Sequence, residues 1–323
     1  LTFDGQGLMN GEGGFVILAD GIAGSLSGDI DVTAGPVAVE GRLGFRVNTT
    51  MNTVEETLSF GGATIPVTFN ESEVSTATAT FIQIYAEDLA LNIGDFLTIE
   101  GSVSFTSRSD GSQVFAGTDI LVFVGQGPAR LPDGELNPTA KGVLLRGTRI
   151  GLVKFADGTF AVNATGTVEL VGINGVSFSG MATIRFNNSG LSVNETVTIP
   201  NSAEPGVEIV FETGAMVTTL IAENVDVNIL GQTLTGDFAF HKVTDGMAAG
   251  SMSIAASNVN LSLGGGAVSL TNASGAMLLT AEGVAANFSG TVGVNVPNVS
   301  FEGTFGLMIN NTGFAVNQVF PIG

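Results

Sequence analysis

The sequence predicts an all-β protein made of elongated tandem antiparallel β-meander modules, stacked as a β-sandwich or a flattened β-roll rod. Three observations predict it. Apolar and small or polar residues alternate along 166–172 (GTVELVG), 176–186 (VSFSGMATIRF) and 225–240 (VDVNILGQTLTGDFAF), the period-two pattern of half-buried strands. Asp-Gly and Asn-Gly pairs punctuate these runs at Asp20-Gly21, Asp110-Gly111, Asp157-Gly158, Asn174-Gly175 and Asp245-Gly246, and such pairs suit tight hairpins because both residues tolerate positive φ. Related phrases also return at near-constant offsets, the mark of a repeat architecture.

In chain order, the first phrase type opens at Gly14 (GFVILADGIAGSLSG), Gly151 (GLVKFADGTFAVNATG) and Gly275 (GAMLLTAEGVAANFSG), offsets of 137 and 124 residues. Each copy continues through a glycine-centred strand into an Asn/Thr turn: 37–50 (VAVEGRLGFRVNTT), 176–190 (VSFSGMATIRFNNSG) and 299–313 (VSFEGTFGLMINNTG). Each ends in a similar tail at 52–60, 192–200 and 315–322. A second type lies between them, pairing 86–105 (AEDLALNIGDFLTIEGSVSF) with 222–240 (AENVDVNILGQTLTGDFAF) and 116–127 with 255–266. The nearest helical candidate, 76–91 (TATATFIQIYAEDLAL), reads as strand from its Thr and Ile content.

The expected organisation is a type-one module with an insertion at 1–79, a type-two module at 80–128 and a loop or linker at 129–142. A type-one module at 143–213, a type-two module at 214–266 and an incomplete type-one module at 267–323 follow. The stretch 61–79 departs from the regular spacing. The segment 125–142 holds three prolines, and Arg130, Lys141, Arg146 and Arg149 cluster in or beside it.

These phrases resemble the tandem repeats of giant secreted or surface-exposed bacterial proteins, in which LxAsNVxLxLG, LxGxFxF and VxLxGxxxVRxNxTG elements recur. The resemblance covers most of residues 8–320. It implies an extracellular, architectural role and carries no catalytic residues with it.

Composition agrees with that direction. The chain has 323 residues, 44% hydrophobic and 12% charged, with 46 glycines, nine prolines and no cysteine. It can bury a large core, while disulfides and thiol chemistry are excluded. The net charge of −20 repels nucleic acid and anionic membrane surfaces. No apolar run reaches the length of a transmembrane helix. The first residue is Leu1 and no leader pattern precedes it, which reads as a processed chain or a segment of a longer one.

A search for chemistry assigns no catalytic, cofactor-binding or metal-ligating residue. His241 is the only histidine and reads as a solvated strand-end residue. The carboxylate pairs Glu55/Glu56, Asp29/Asp31 and Asp133/Glu135 are candidates for acid–base work. Their plainer reading is a solubilising face. A structural Ca2+ at an acidic loop is the one cofactor left open, since hard cations want several oxygens. The glycine runs at 11–14 and 264–266 read as turns and bulges, not phosphate loops. Asn-x-Ser/Thr recurs at Asn48, Asn70, Asn163, Asn187, Asn194, Asn260, Asn272, Asn287, Asn298 and Asn310. Of these, Asn187 and Asn310 are expected at accessible turns.

The expected function is therefore non-enzymatic: a repeating subunit of an extracellular self-assembling fibre or surface layer, with copies of itself as partner. Strands at 1–10 and 314–322 would complete the sheet of a neighbouring copy. The alternatives are a lipid-conducting β-trough of the bacterial envelope and the stalk of an adhesin. The trough requires an apolar lining on one face with no opposing sheet.

Overall fold

A computed structural model describes residues 2–3, 6–35, 37–93, 97–172, 174–243, 250–280 and 283–317. These residues form twenty strands and no α-helix. The first nine strands are β1 (Thr2–Phe3), β2 (Gln6–Leu18), β3 (Gly21–Ala34), β4 (Val37–Asn48), β5 (Val54–Phe60), β6 (Ala63–Phe69), β7 (Phe81–Ile93), β8 (Leu97–Ser107) and β9 (Gln113–Gln126). Next come β10 (Lys141–Lys154), β11 (Phe160–Val171), β12 (Val176–Asn187), β13 (Val193–Val197), β14 (Val207–Phe211) and β15 (Val217–Ile229). The last five are β16 (Gln232–Lys242), β17 (Met252–Leu263), β18 (Val268–Leu279), β19 (Val284–Val296) and β20 (Val299–Asn310).

The all-β meander is therefore present. Hydrogen bonding orders β1–β4, β7–β12 and β15–β20 in chain sequence along one sheet. Two hairpins, β5–β6 and β13–β14, leave that order and pair only internally. Residues 61–79, irregular in sequence, contain the return strand β6 and a single 310 turn at Glu71–Glu73 capped by Asn70. The 76–91 stretch enters β7, and the prolines of 125–142 fall in the connection from β9 to β10. The Asp-Gly and Asn-Gly pairs mark hairpin connections, except Asp245-Gly246, which lies outside the described residues.

The chain divides into two compact units. One comprises Leu1–Asn137, Arg146–Ala164 and Asn187–Ala215; the other comprises Pro138–Leu145, Thr165–Phe186 and Met216–Gly323. In the first, β2 packs against β3, β3 against β4, β4 against β7, β7 against β8 and β8 against β9, all antiparallel. In the second, β15 to β20 pair in the same way.

The long strands run 11–14 residues, beyond the usual five or six, and the phrase of the second type explains how. Its Asp or Asn is a β-bulge residue. Asp88 (φ 47), Asp119 (φ 50), Asn224 (φ 51) and Asn258 (φ 53) all adopt the left-handed conformation. The pairing register shifts beside each of them: between Ala86 and Leu89, opposite Glu100/Ser102, between Ala222 and Val225, and between Ala256 and Val259. Asn and Asp take positive φ more readily than other residues with a side chain. The extra residue bends its strand and increases the local twist. A bulge presses backbone onto its neighbour, which is why a glycine faces it. Gly101 has φ +128, and a Cβ there would meet the Asp119 carbonyl oxygen at 2.9 Å. Gly41 against Asp88 and Gly236 against Val259 do the same in their phrases, whereas Gly303 of VSFEG faces a strand paired without a register shift.

The hairpin β5–β6 closes the core of the first unit. Val54, Val67 and Phe69 pack with Ala23 of β3 and Phe81 of β7, flanked by Val16, Leu18 and Leu58. Phe69 and Phe81 meet edge to face at 5.9 Å, a favoured aromatic geometry. Phe69→Ala should destabilise this unit by about 3–5 kcal/mol, because the void cannot collapse between two sheets. Phe60→Ala, at a hairpin tip where the ring is 88% exposed, should change stability by less than about 0.5 kcal/mol. Urea unfolding followed by the fluorescence of Tyr85, the only tyrosine, checks both.

Candidate functional site

Directly opposed residues of an antiparallel sheet share a face, so the pairing registers assign every side chain to one side. In the first unit one row runs Ser25, Arg46, Gln83, Thr106, Val114 across β3, β4, β7, β8 and β9. This is the covered face, on which β5–β6 lies. The adjacent row on the other face runs Leu26, Phe45, Ile84, Phe105, Phe115, and its first four members are exposed.

The second unit repeats the division. Leu220, Phe240, Ile254, Met277, Ala286 and Ile309 oppose one another across β15 to β20, and Phe238, Ala256, Gly275, Phe288 and Leu307 form the next row of that face. Phe238, Leu270, Phe288, Phe305 and Leu307 surround an open cavity of about 350 Å3 with no charged residue in its lining. In the first unit the hairpins contact the sheet on its covered face, through β2, β3, β4, β7, β9 and β10. Each unit therefore has an apolar face on which neither hairpin lies, the bare face.

Arginines fasten the covering hairpins. Arg46 donates to Glu73 Oε1 at 2.5 Å, Gln83 Oε1 at 2.8 Å and the Thr68 carbonyl at 3.0 Å, with its guanidinium 4.8 Å from the Phe69 ring centre. Arg108 binds both carboxylate oxygens of Glu195 on β13 at 3.1 Å. Arg149 donates to Glu204 Oε2 at 3.3 Å and to the Pro205 and Gly206 carbonyls at 2.6 and 3.0 Å. Arg130, in the basic cluster, is held by Glu100 at 2.6–2.8 Å and by the Gly134 carbonyl. These four arginines serve as clamps between elements.

The candidate carboxylates are drawn into similar structural roles. Asp29 accepts from Asn10 Nδ2 at 2.7 Å and from Arg42 Nη1 at 2.9 Å. The Asn10 bond first and the Arg42 bond next hold its carboxyl below the ordinary 3.8. Asp133 Oδ1 accepts the Glu135 N–H at 3.1 Å and so shapes its own turn. Glu55 and Glu56, as neighbours on β5, point to opposite faces. No group of three His, Cys, Asp or Glu residues that could hold a metal ion exists among the described residues. His241, expected to be solvated, is half-buried on the face shared with Leu278 and Ala285, with Nδ1 2.9 Å from Thr219 Oγ1.

The Asn-x-Ser/Thr motifs contain the main surprise. Asn48 and Asn187 are 0% exposed, so the expected accessibility of Asn187 is wrong. Asn48 Nδ2 donates to the Asn52 carbonyl at 3.1 Å, and its Oδ1 accepts the Thr50 N–H at 2.9 Å and hydroxyl at 2.7 Å. Asn187 repeats this with Leu191 at 3.0 Å and Ser189 at 3.0 and 2.7 Å. Asn310 does so with Phe314 at 2.9 Å and Thr312 at 3.1 and 2.8 Å. One side chain thus brackets the four-residue corner where the chain leaves the sheet and begins to cross it. Only Asn310 of the three is exposed. The signal is present in sequence as the Asn-x-Ser/Thr triplet, preceded by arginine at Arg46 and Arg185 and by Met308 in the third copy, but it reads equally as a glycosylation acceptor.

Register also corrects the phrase alignment. Val16 pairs with Ala23, and Leu278 pairs with Ala285. The place of Gly14 is therefore taken by Ala276, while Gly275 points to the bare face against Phe288. Gly14 and Gly151 are glycines because the hairpins come down on them. A Cβ would lie 2.5 Å from Leu58 Cδ1 in one and 2.5 Å from Ile209 Cγ1 in the other.

No protein-family model, curated protein or solved structure matches this chain. Asn187→Ala should destabilise the protein by about 1–3 kcal/mol, since it strands the Ser189 N–H and the Leu191 carbonyl. Chemical denaturation beside Asn194→Ala, an exposed asparagine of β13 outside the bracket, measures the difference.

Proposed function

We propose that this chain is a non-enzymatic extracellular structural protein, a repeating subunit that builds a fibre or surface layer with copies of itself through β-strand pairing. The observation that supports it is the edge strand β20. It ends the strand order and pairs on one side only, with β19, among the described residues. Its twelve residues, VSFEGTFGLMIN, include one charge, Glu302, and no proline or lysine. A long, weakly charged edge is a template for another strand, and natural monomers usually blunt such edges. The composition and the resemblance to secreted repeat proteins support the extracellular setting.

The terminal segments first suggested by sequence are used within the chain where they are described. Thr2 and Phe3 pair with Gly7 and Gln6, and Phe314 and Val316 pack against Val243, Leu278 and Ala285. Leu1, Asp4, Gly5 and residues 318–322 lie outside the described residues. The joining strand is accordingly placed at β20 itself. Phe305→Lys puts a charge on an edge strand at a side chain already 50% exposed. Light scattering and negative-stain imaging should show the natural protein associating with concentration and this variant remaining monomeric. A natural protein that is monomeric at every concentration sinks the reading.

The bare face favours a second reading, the lipid-conducting trough. Its apolar rows and uncharged cavity of about 350 Å3 meet the requirement set from sequence, and such pockets suit apolar ligands. Under this reading, mass spectrometry of protein purified without detergent finds co-isolated lipid, and Leu307→Asp removes it. Lipid-free protein would count against the trough.

A further inference from the structure

The cavity on the bare face of the second unit is bounded by five strands. Phe238 of β16, Ala256 of β17, Leu270 of β18, Phe288 of β19 and Leu307 of β20 all line it. These strands are consecutive neighbours in one sheet. A flat sheet encloses no volume, so a space of about 350 Å3 held by five adjacent strands makes the bare face concave there. Two bulges supply the bend. The register shifts between Ala256 and Val259 and between Thr271 and Ser274, within the lining itself.

Shape and chemistry together select the ligand. Measured across the strands, the lining runs about 19 Å, four interstrand spacings. Spread over that length, the volume gives a mean cross-section of about 18 Å2. That is the section of one extended methylene chain, and it is too thin for a fused-ring system or a helix. Ser274 and Ser289 are the two hydroxyl-bearing residues of the lining. They oppose each other in the row next to Gly275 and Phe288, so their side chains turn to the other face. No side chain is left in the cavity to pair with a carboxylate, a phosphate or an amine. What it offers is aromatic and branched apolar surface, which suits an apolar ligand.

We propose that this cavity seats one straight hydrocarbon chain of a lipid, lying across β16 to β20 and recognised by its methylenes, not by its head group. The proposal rests on the trough reading and gives that trough a site and a ligand. A second copy of this chain presents the same concave face and would leave the space unfilled, against the close packing of protein interfaces.

Calorimetry of the full chain with straight-chain alcohols of increasing length, each kept below its aggregation point, tests it. Expected are saturable one-to-one binding, a negative heat-capacity change and a Kd that tightens about fourfold per added methylene until the cavity is full. The matching fatty acids should give the same slope. Leu307→Asp, at a side chain 54% exposed, should weaken binding by at least about tenfold. Met308→Asp, at the next residue but on the opposite face of β20, should leave it unchanged. On the natural sequence, an alcohol with a photoreactive diazirine at its chain end should label Phe288, Val292 and Phe305, not Leu278 or Met308. Binding that never saturates, affinity indifferent to chain length, label on the covered face, or equal loss in both variants overturns the proposal. So does hydrogen-exchange protection of 286–292 and 303–307 that rises with protein concentration and shuts out the alcohol, since it assigns the face to a second copy. Lipid transfer between vesicles separates the seat from the conduit. Chain binding without transfer sinks the trough and leaves the seat standing, and transfer untouched by Leu307→Asp does the reverse.

Discussion

A strand offers two faces, and a single sheet must do something with both. In this protein the antiparallel pairing brings like residues into straight rows across many strands. Leu26, Phe45, Ile84, Phe105 and Phe115 are one such row. Backbone hydrogen bonds fix the rows and cannot be traded for a better arrangement of side chains, because a one-residue slip would send each side chain to the other face. The covering hairpins, the arginine clamps and the bare apolar face all follow from that constraint.

Where the sheet is covered, the cover comes from the chain itself. After three strands, a buried asparagine turns the backbone off the sheet, and the next residues lie down across the strands already made. The bracket is placed where the sheet ends and the cover begins, so the N–H and C=O groups of that corner would otherwise be buried without partners. Asn48 and Asn187 are buried, and Asn48 also donates to the Glu73 carbonyl beyond the end of β6. Asn310 makes the same bonds and stays exposed, which sets the third copy apart. The glycines under the hairpins, Gly14 and Gly151, belong to the same logic, since a methyl group would occupy the space of Leu58 or Ile209.

Much of this was legible in the sequence. Alternation marked β11, β12, β15 and β16, Asp-Gly pairs marked turns, and the offset of 137 residues marked copies. The bulges were visible without being understood. Asp88 and Asn224 stood at matching places in matching phrases, but a positive φ is not written in an Asp or Asn, which takes many conformations. Asn187 was misread for a related reason. The triplet Asn-x-Ser serves both an oligosaccharide acceptor and an Asx turn, and burial decides between them. The phrase at Gly275 was aligned one residue away from its structural equivalent because glycine identity was followed where strand register rules.

The sequence by itself determined that the chain is all-β, where most strands and turns lie, that the pattern repeats, and that thiol chemistry has no place in it. These are local properties, set by side-chain alternation, β-branching and turn residues within a window of about ten residues. Only the tertiary structure decided which face is covered, which glycines are indispensable and which asparagines are buried. A strand's alternation says that its two faces differ but not what lies against either. That is decided when β6 or β14 returns across strands far away in sequence, and the closeness of Ile209 to Gly151 is a fact of packing that neither residue announces alone.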